Sequence, residues 1–496
     1  MPDAKAGMGR PSYPGPSSWT VAAVQMTAGA VLMSLYLGEK GLWLDEALSV
    51  ARASADLGPL WQEITASQAN MGLYYLALHV WLALGTTEAA VRSLSVVFAV
   101  LTILIVYRLT ARLFGETAGR IAGVLLAFNP FFIRYAQEAR GYSLAVLLVC
   151  AASYCLVRGL DQPSRRTWAA CVLLSVLAVY AHFFSALVLL AHLTAVVALG
   201  RARVLRAPLV ATGAAIGLGI APAAAFVLFR DAGQIDWVPA PRVVDLYHLV
   251  AAFAGGSSVL LGGYAIATGA ALSVALRRTA AFRSERWPAL FVATWLVVPI
   301  AVAFGVSQAK PIFQSRFLIV VLPAFVMLAG AGLSRLRRPA GQATVAGLVV
   351  LLSAASVRDF YQEPERQYWR RAARDVLTDA RPGDAITFYV YSGRVPFEYY
   401  LDRLNLRKPG VDLVDVASGP WMAGNRQPEP SEARLDALAG RHARVWLVRL
   451  QDGGPPGHPL GRHEQSQRIR SALASQYDLA HSLSYPGGIT VELYDR

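Results

Sequence analysis

Two carboxylates stand side by side at Asp45 and Glu46, in the run GLWLDEALS at 41–49, directly behind the first long apolar stretch. Charge beside a membrane-length segment is costly unless it is partnered or used. Either carboxylate can act as a general base, taking the proton from an acceptor hydroxyl as that oxygen attacks. If the pair begins a helix, neighbouring side chains point ~100° apart, so only one of the two can aim at a given acceptor. A third acid, Glu138, lies in YAQEARGY at 135–142 between two further apolar runs. Two carboxylate loops facing one cavity would also suit a divalent metal at Asp45 and Glu138, although Asp and Glu alone are a weak metal signature. The plainer alternative makes these acids solvated loop residues or helix caps, with Arg134 and Arg140 as surface partners of Glu138.

Cations recur at similar borders. Lys310 and Arg316 flank the run PIFQS at 311–315. A departing phosphate wants fixed positive charge, and Arg adds a bidentate fork; the rival reading is snorkelling at helix ends. Arg92 precedes an apolar run and carries the same two readings. His182, in YAHFF at 180–184, begins another such run. A lone histidine there is a packed interfacial residue or a substrate contact. Tyr74, with Tyr75 and Trp81 in NMGLYYLALHVWLAL at 70–84, reads as an aromatic anchor beside the same region.

The elements that position these residues are membrane helices. The chain has 496 residues, 55% apolar and 16% charged, outside the range of soluble domains. Eleven spans are expected near 19–37, 94–113, 118–132, 142–157, 167–180, 183–199, 207–229, 246–276, 287–306, 317–333 and 340–357. Residues 1–18 are polar and lack a cleavable-signal pattern, so they read as a disordered cytoplasmic tail before an uncleaved anchor. Cys150, Cys155 and Cys171 sit inside apolar runs and read as core fillers.

The net charge of +14 follows from positive-inside loops and needs no nucleic acid. With the N-terminus inside, the inner loops hold Arg108, Arg112 and Arg120; Arg158, Arg165 and Arg166; and Arg201, Arg203 and Arg206. Arg277, Arg278, Arg283 and Arg286 follow, then Arg335, Arg337 and Arg338. The acid loops, the loop at 230–245 and the loop at 307–316 then face outward. Counting 70–84 as a span would break this pattern, so it reads as a helix lying at the outer interface. Residues 38–93 thus form a structured outer collar, with short helices at 45–55 and 58–68, in a transmembrane domain of 19–357. Beyond it, 358–496 loses membrane-length runs and becomes charged and turn-rich. Helical 368–380, a turn at Arg381-Pro-Gly-Asp384, strands at 385–391 and 444–450, a helix at 467–476 and a closing pair at 477–483 and 488–494 predict a soluble extracytoplasmic α/β domain.

The order of LWLDEALS, NMGLYYLALHVWLAL, TEAAVRSLSVVFAVLTILIVYRLTARLFG, NPFFIRYAQEARGYSL, YAHFF and KPIFQSRFLIVVLPA resembles a family of bacterial membrane glycosyltransferases. That family is related to protein O-mannosyltransferases and aminoarabinose transferases and has the type C (GT-C) fold. The resemblance covers about 43–323. It implies a polyprenyl-phosphate donor carrying a hexose, a mannose-like sugar or a pentose, and inverting transfer on the outer face of the bacterial inner membrane. The acceptor class is a lipid, a glycan or a protein. Its essential first-loop acid maps onto Asp45, with Glu46 beside it, and its second-loop acid onto Glu138. Arg92, Arg140, Tyr74, His182, Lys310 and Arg316 are the expected substrate contacts. One departure is that Asn70-Met71-Gly72 stands where members often carry Pro-Pro or His-Pro-Pro.

The residues agree with that chemistry. A polyprenyl phosphate leaves readily, so catalysis needs a base for the acceptor and cations for the phosphate. No nucleotide-binding turn stands in a βαβ context, which suits a donor other than a nucleotide sugar. A flippase or transporter would place charges deep within the spans or show internal repeats. A polysaccharide polymerase or ligase would favour outer-loop arginines over an acid pair.

The charge pattern makes a direct prediction. A topology reporter fused after Arg496 is expected to be active outside the cytoplasm, and activity confined to the cytoplasm would overturn the sidedness.

Overall fold

The computed structural model describes residues 16–67, 69–198, 206–229, 238–276, 283–336, 338–389, 391–416, 430–450 and 462–496. Arg201, Arg203, Arg277, Arg278, Arg337, residues 1–15 of the tail and residues 230–237 of the loop at 230–245 lie outside the described residues.

A first helix, α1 (Pro16–Ser34), leads into the collar, whose helices are α2 (Leu44–Ala53), α3 (Leu57–Ala66) and α4 (Gly72–Trp81). The two short helices expected at 45–55 and 58–68 are therefore present within two residues. The bundle follows as α5 (Glu88–Phe114), α6 (Glu116–Ala127), α7 (Pro130–Ala136), α8 (Tyr142–Asp161), α9 (Arg165–Ala181) and α10 (Ser185–Ala198). It is completed by α11 (Arg206–Phe229), α12 (Val243–Phe253), α13 (Ser258–Leu276), α14 (Arg283–Val306), α15 (Leu322–Leu333) and α16 (Pro339–Gln362). Among the described residues, α5, α8, α11, α14 and α16 are long and apolar enough to cross a bilayer, and α12 with α13 makes a sixth candidate. The protein is thus a multi-pass membrane protein, but the other expected spans do not meet that measure on their own.

Three departures from the expected spans have local causes. Helix α5 starts at Glu88 rather than 94, because Thr87 caps it by accepting from Ala90 N at 3.2 Å. That extra turn puts Arg92 inside the helix. The span expected at 118–132 breaks at Asn129-Pro130, where the Asn129 side chain accepts from Phe132 N at 2.9 Å and Pro130 occupies the first turn of α7. The span expected at 246–276 bends by 91° between α12 and α13. The bend sits at Gly255 and Gly256, whose φ values of 73° and 78° belong to a region that other residues rarely enter.

The C-terminal part holds α17 (Trp369–Asp379), β1 (Ala385–Tyr389), α18 (Arg394–Arg403), β2 (Asp412–Leu413), α19 (Glu432–Arg441), β3 (Arg444–Leu450), α20 (Arg462–Ala474), β4 (Asp478–Tyr485) and β5 (Ile489–Asp495). Its sheet runs β2-β1-β3-β5-β4, parallel across the first three and antiparallel at β5. The strands at 385 and 444 and the closing pair fall where the alternation predicts them. A second core, separate from that of the bundle, fills the space between this sheet and its helices.

The two parts meet at the collar. Leu42 N donates to the Tyr400 hydroxyl at 2.6 Å and Leu44 N to Gln367 Oε1 at 2.8 Å. Arg370 donates to Glu39 O at 3.0 Å and to Glu88 Oε1 at 2.6 Å, and the Tyr399 hydroxyl donates to Thr86 O at 2.8 Å. The backbone just ahead of Asp45 is therefore held by side chains from beyond residue 366.

Candidate functional site

Asp45 and Glu46 occupy the first turn of α2, where the helix dipole favours negative charge. Their side chains go to different places. Glu46 is fully buried. Its Oε1 accepts from Arg92 Nε at 2.8 Å and from Ala139 N at 2.9 Å. Its Oε2 accepts from Arg92 Nη2 at 2.7 Å and from Trp43 N at 3.4 Å. Arg92 spends its other donors on the carbonyls of Leu37 at 2.9 Å, Lys40 at 2.7 Å and Gly41 at 3.0 Å. The pair thus ties collar, α5 and the 137–141 turn into one unit, and leaves neither partner free for a substrate.

Asp45 is only partly covered, its side chain 26% exposed. Its Oδ2 lies 3.8 Å from Arg140 Nη2 and 3.8 Å from Arg316 Nη1. Those separations are ion-pair distances but too long for hydrogen bonds. Arg140 is anchored by its Nη1, which donates to Asp45 O and to Ser49 Oγ, each at 3.3 Å. Its Nε is buried without an acceptor among the described residues. The Arg316 guanidinium lies over the rings of Trp43 at 5.5 Å and Phe317 at 5.4 Å. The structure therefore brings Arg316 to Asp45, while Lys310 is exposed.

Glu138 is buried, with Oε1 3.1 Å from Arg366 Nη2 and Oε2 without a donor among the described residues. Burial pushes its carboxyl above the usual range, against the pull of Arg366. Arg366 also lies over the Trp43 ring at 4.1 Å, so Trp43 joins the neighbourhoods of Asp45 and Glu138. Neither Arg366 nor Trp43 stands out in the sequence, since an arginine in a charged linker and a tryptophan at an interface are both ordinary.

His182 packs against the rings of Tyr142, Phe184 and Phe317 at 5.7, 5.5 and 5.6 Å. Its Nδ1 accepts from Phe184 N at 3.3 Å, which places the proton of the neutral ring on Nε2. Burial, reinforced by Arg140 and Arg316, pushes the imidazole down to about 3. Tyr74 is fully buried and is not an interfacial anchor. Its hydroxyl meets Ser95 Oγ at 3.0 Å, and Ser95 Oγ donates to Arg140 O at 3.3 Å, so Tyr74 supports the arginine from behind. The α4 helix is preceded by Met71 with φ 67°, a left-handed conformation uncommon for such a residue. Gly141 packs so closely there that a Cβ would meet Met71 Cγ at 3.2 Å and Ala181 O at 2.8 Å. The Asn70 side chain accepts from Phe183 N at 3.1 Å. These contacts lock the collar, the 137–141 turn and the His182 turn together. Among the described residues no three His, Cys, Asp or Glu side chains cluster as a cation would need. Asp45 and Glu138, the two acids that could have served as ligands, instead face arginines, and this donor set does not fit a divalent ion.

Comparison with known proteins agrees with this architecture. Residues 67–226 match the family described as dolichyl-phosphate-mannose-protein mannosyltransferase. No curated protein matches the sequence. The fold is similar to that of ArnT from Cupriavidus metallidurans in the apo state, with a TM-score of 0.64 at 13% identity, covering 96% of this chain and 98% of that one. ArnT bound to undecaprenyl phosphate matches with a TM-score of 0.63 at 13% identity, covering 97% and 98%. The archaeal oligosaccharyltransferase AglB from Archaeoglobus fulgidus, in complex with an inhibitory peptide and a dolichol-phosphate, matches with a TM-score of 0.52 at 11% identity, covering 96% and 74%. The fold is that of the type C glycosyltransferases. The family match covers residues 67–226, and the solved structures extend the likeness in fold to nearly the whole chain.

The His182 environment has a measurable consequence. A ring neutral down to about 3 in the fold but protonating near its ordinary 6.5 when unfolded stabilises the protein above pH 6.5. That stability is lost as pH falls toward 3, by up to about 1.4 kcal/mol per pH unit. Thermal unfolding in detergent is expected to fall between pH 6.5 and 4.5, more steeply for the wild type than for His182→Gln. Parallel curves would contradict the buried neutral ring.

Proposed function

We propose that this protein moves a sugar from a polyprenyl-phosphate donor to an acceptor hydroxyl on the outer face of the bacterial inner membrane, with inversion. Asp45 is the general base. The observation that supports this best is the position of its carboxylate between two guanidiniums at 3.8 Å, close enough to attract and too far to bond.

The geometry gives each group a task. The donor's phosphate competes for Arg140 and Arg316, whose charge-assisted contacts favour a phosphate over a distant carboxylate. Lys310 is a further candidate for the phosphate. Drawing the arginines away leaves the Asp45 carboxylate free to accept a proton. The acceptor oxygen attacks the anomeric carbon while its proton passes to Asp45, and the bond from that carbon to the phosphate oxygen breaks. Negative charge then grows on the leaving phosphate, where Arg140 and Arg316 are already placed. His182 stays neutral and offers its Nε2 proton on the same side. Glu46 takes no part in proton transfer and fixes Asp45 through Arg92. Glu138 stands beside Trp43 as an acid whose carboxyl burial pushes above the usual range.

Transfer from a purified polyprenyl-phosphate sugar by folded Asp45→Asn, Glu138→Gln and Arg316→Ala proteins tests this. Asp45→Asn is expected to lower turnover by about 10²–10⁴ while still binding the donor. Arg316→Ala is expected to weaken donor binding by roughly tenfold or more, the loss of one charge-assisted contact. Near-normal turnover by Asp45→Asn would end the assignment of the base.

A further inference from the structure

A cavity of about 180 Å³ lies where the collar, the 134–138 turn and the segment behind α16 meet. Tyr36, Trp43, Phe360 and Tyr361 supply aromatic walls. Six of its seven charged residues come in pairs: Arg92 with Glu46, Arg134 with Glu363, and Arg366 with Glu138. Lys40 donates to Phe360 O at 2.7 Å and lies over the Phe360 ring at 4.6 Å. Arg140, Arg316 and His182 are not among the walls, so the cavity is distinct from the cluster around Asp45 that suits a phosphate.

We infer that this cavity is an acceptor subsite that takes one saccharide unit of a glycan-bearing acceptor. The inference rests on the transfer reading above. Three features point to a sugar. Arg134, Arg366, Glu138 and Glu363 offer hydrogen-bond donors and acceptors around the space, and the lining as a whole carries only one net positive charge, that of Lys40. Aromatic faces pack against the C–H face of a sugar ring, and a few fixed polar groups orient its hydroxyls. The volume suits one ring rather than an extended chain.

The position suits the chemistry as well. Inversion requires the acceptor oxygen and the leaving phosphate to lie on opposite sides of the anomeric carbon. Trp43, two residues before Asp45, and Glu46, the residue after it, both line this cavity, while the two arginines that suit the phosphate do not. Tyr36 is 52% exposed and Pro364 is exposed at the rim, beside the ends of α1 and α16. The headgroup of an acceptor held in the membrane can therefore reach the space from the bilayer edge.

Saturation-transfer NMR on the detergent-solubilised full chain tests this directly, with methyl glucoside, galactoside, mannoside and arabinoside as probes. At least one glycoside is expected to receive saturation in the wild type. The signal is expected to fall about tenfold in Pro364→Trp and in Glu363→Trp, each of which fills the rim, the loss of a contact or two. Either variant that still binds undecaprenyl phosphate suffices. Saturation that survives both substitutions, its absence for every glycoside, or displacement of the glycoside by undecaprenyl phosphate would overturn the subsite. The last of these would assign the sugar to the donor side. Glycoside binding without any binding of undecaprenyl phosphate would instead contradict the donor reading and leave the saccharide site standing.

Discussion

Everything around Asp45 depends on the ion pair between Glu46 and Arg92. It is buried at both ends, with Glu46 0% and Arg92 6% exposed. Removing two charges from water costs several kcal/mol per ion, and such a pair holds only when the remaining donors and lone pairs are satisfied. Here both carboxylate oxygens accept two bonds and every arginine donor has an acceptor. The pair joins segments from residues 37–46, 92 and 139, which otherwise share no regular hydrogen bonding. Because neighbours on a helix diverge by ~100°, anchoring Glu46 in the core turns Asp45 toward Arg140 and Arg316.

A second constraint comes from the chain's far end. Leu42 N and Leu44 N are donors at the entry to α2, and a buried donor left unpaired costs about 1–3 kcal/mol. Tyr400 and Gln367 supply the acceptors. Arg366, from the same segment, pairs with Glu138 and covers Trp43. The C-terminal α/β part is thereby built into the candidate site rather than appended to it.

Much of this was legible in the residues and some was not. Asp45 stood out because a carboxylate beside a membrane-length run has few cheap reasons to be there. Alternation marked the strands at 385–389 and 489–495, and turn residues marked their ends. Glu46 looked like a second candidate base, since adjacency in sequence hides direction on a helix and Arg92 stands ahead of a different apolar run. Lys310 and Arg316 looked equivalent, but only their three-dimensional setting distinguishes an exposed lysine from an arginine lying over Trp43. Tyr74 looked interfacial because its helix is short, whereas the folded collar buries it against Ser95. The bend falls at Gly-Gly-Ser-Ser, 255–258, a turn signal that a span read on hydropathy alone runs through. Arg366 was hidden because the partners of a linker residue are set by tertiary contact alone.

The central claim is that Glu46 and Arg92 act as one structural unit that aims Asp45. A double-mutant cycle of Glu46→Leu and Arg92→Leu, followed by unfolding and by donor binding in detergent, measures that unit most directly. Each single substitution is expected to cost about 3–5 kcal/mol by stranding a buried charge, and the double variant is expected to regain a large part of that loss. Single effects that simply add, with no coupling between the two positions, would contradict the account.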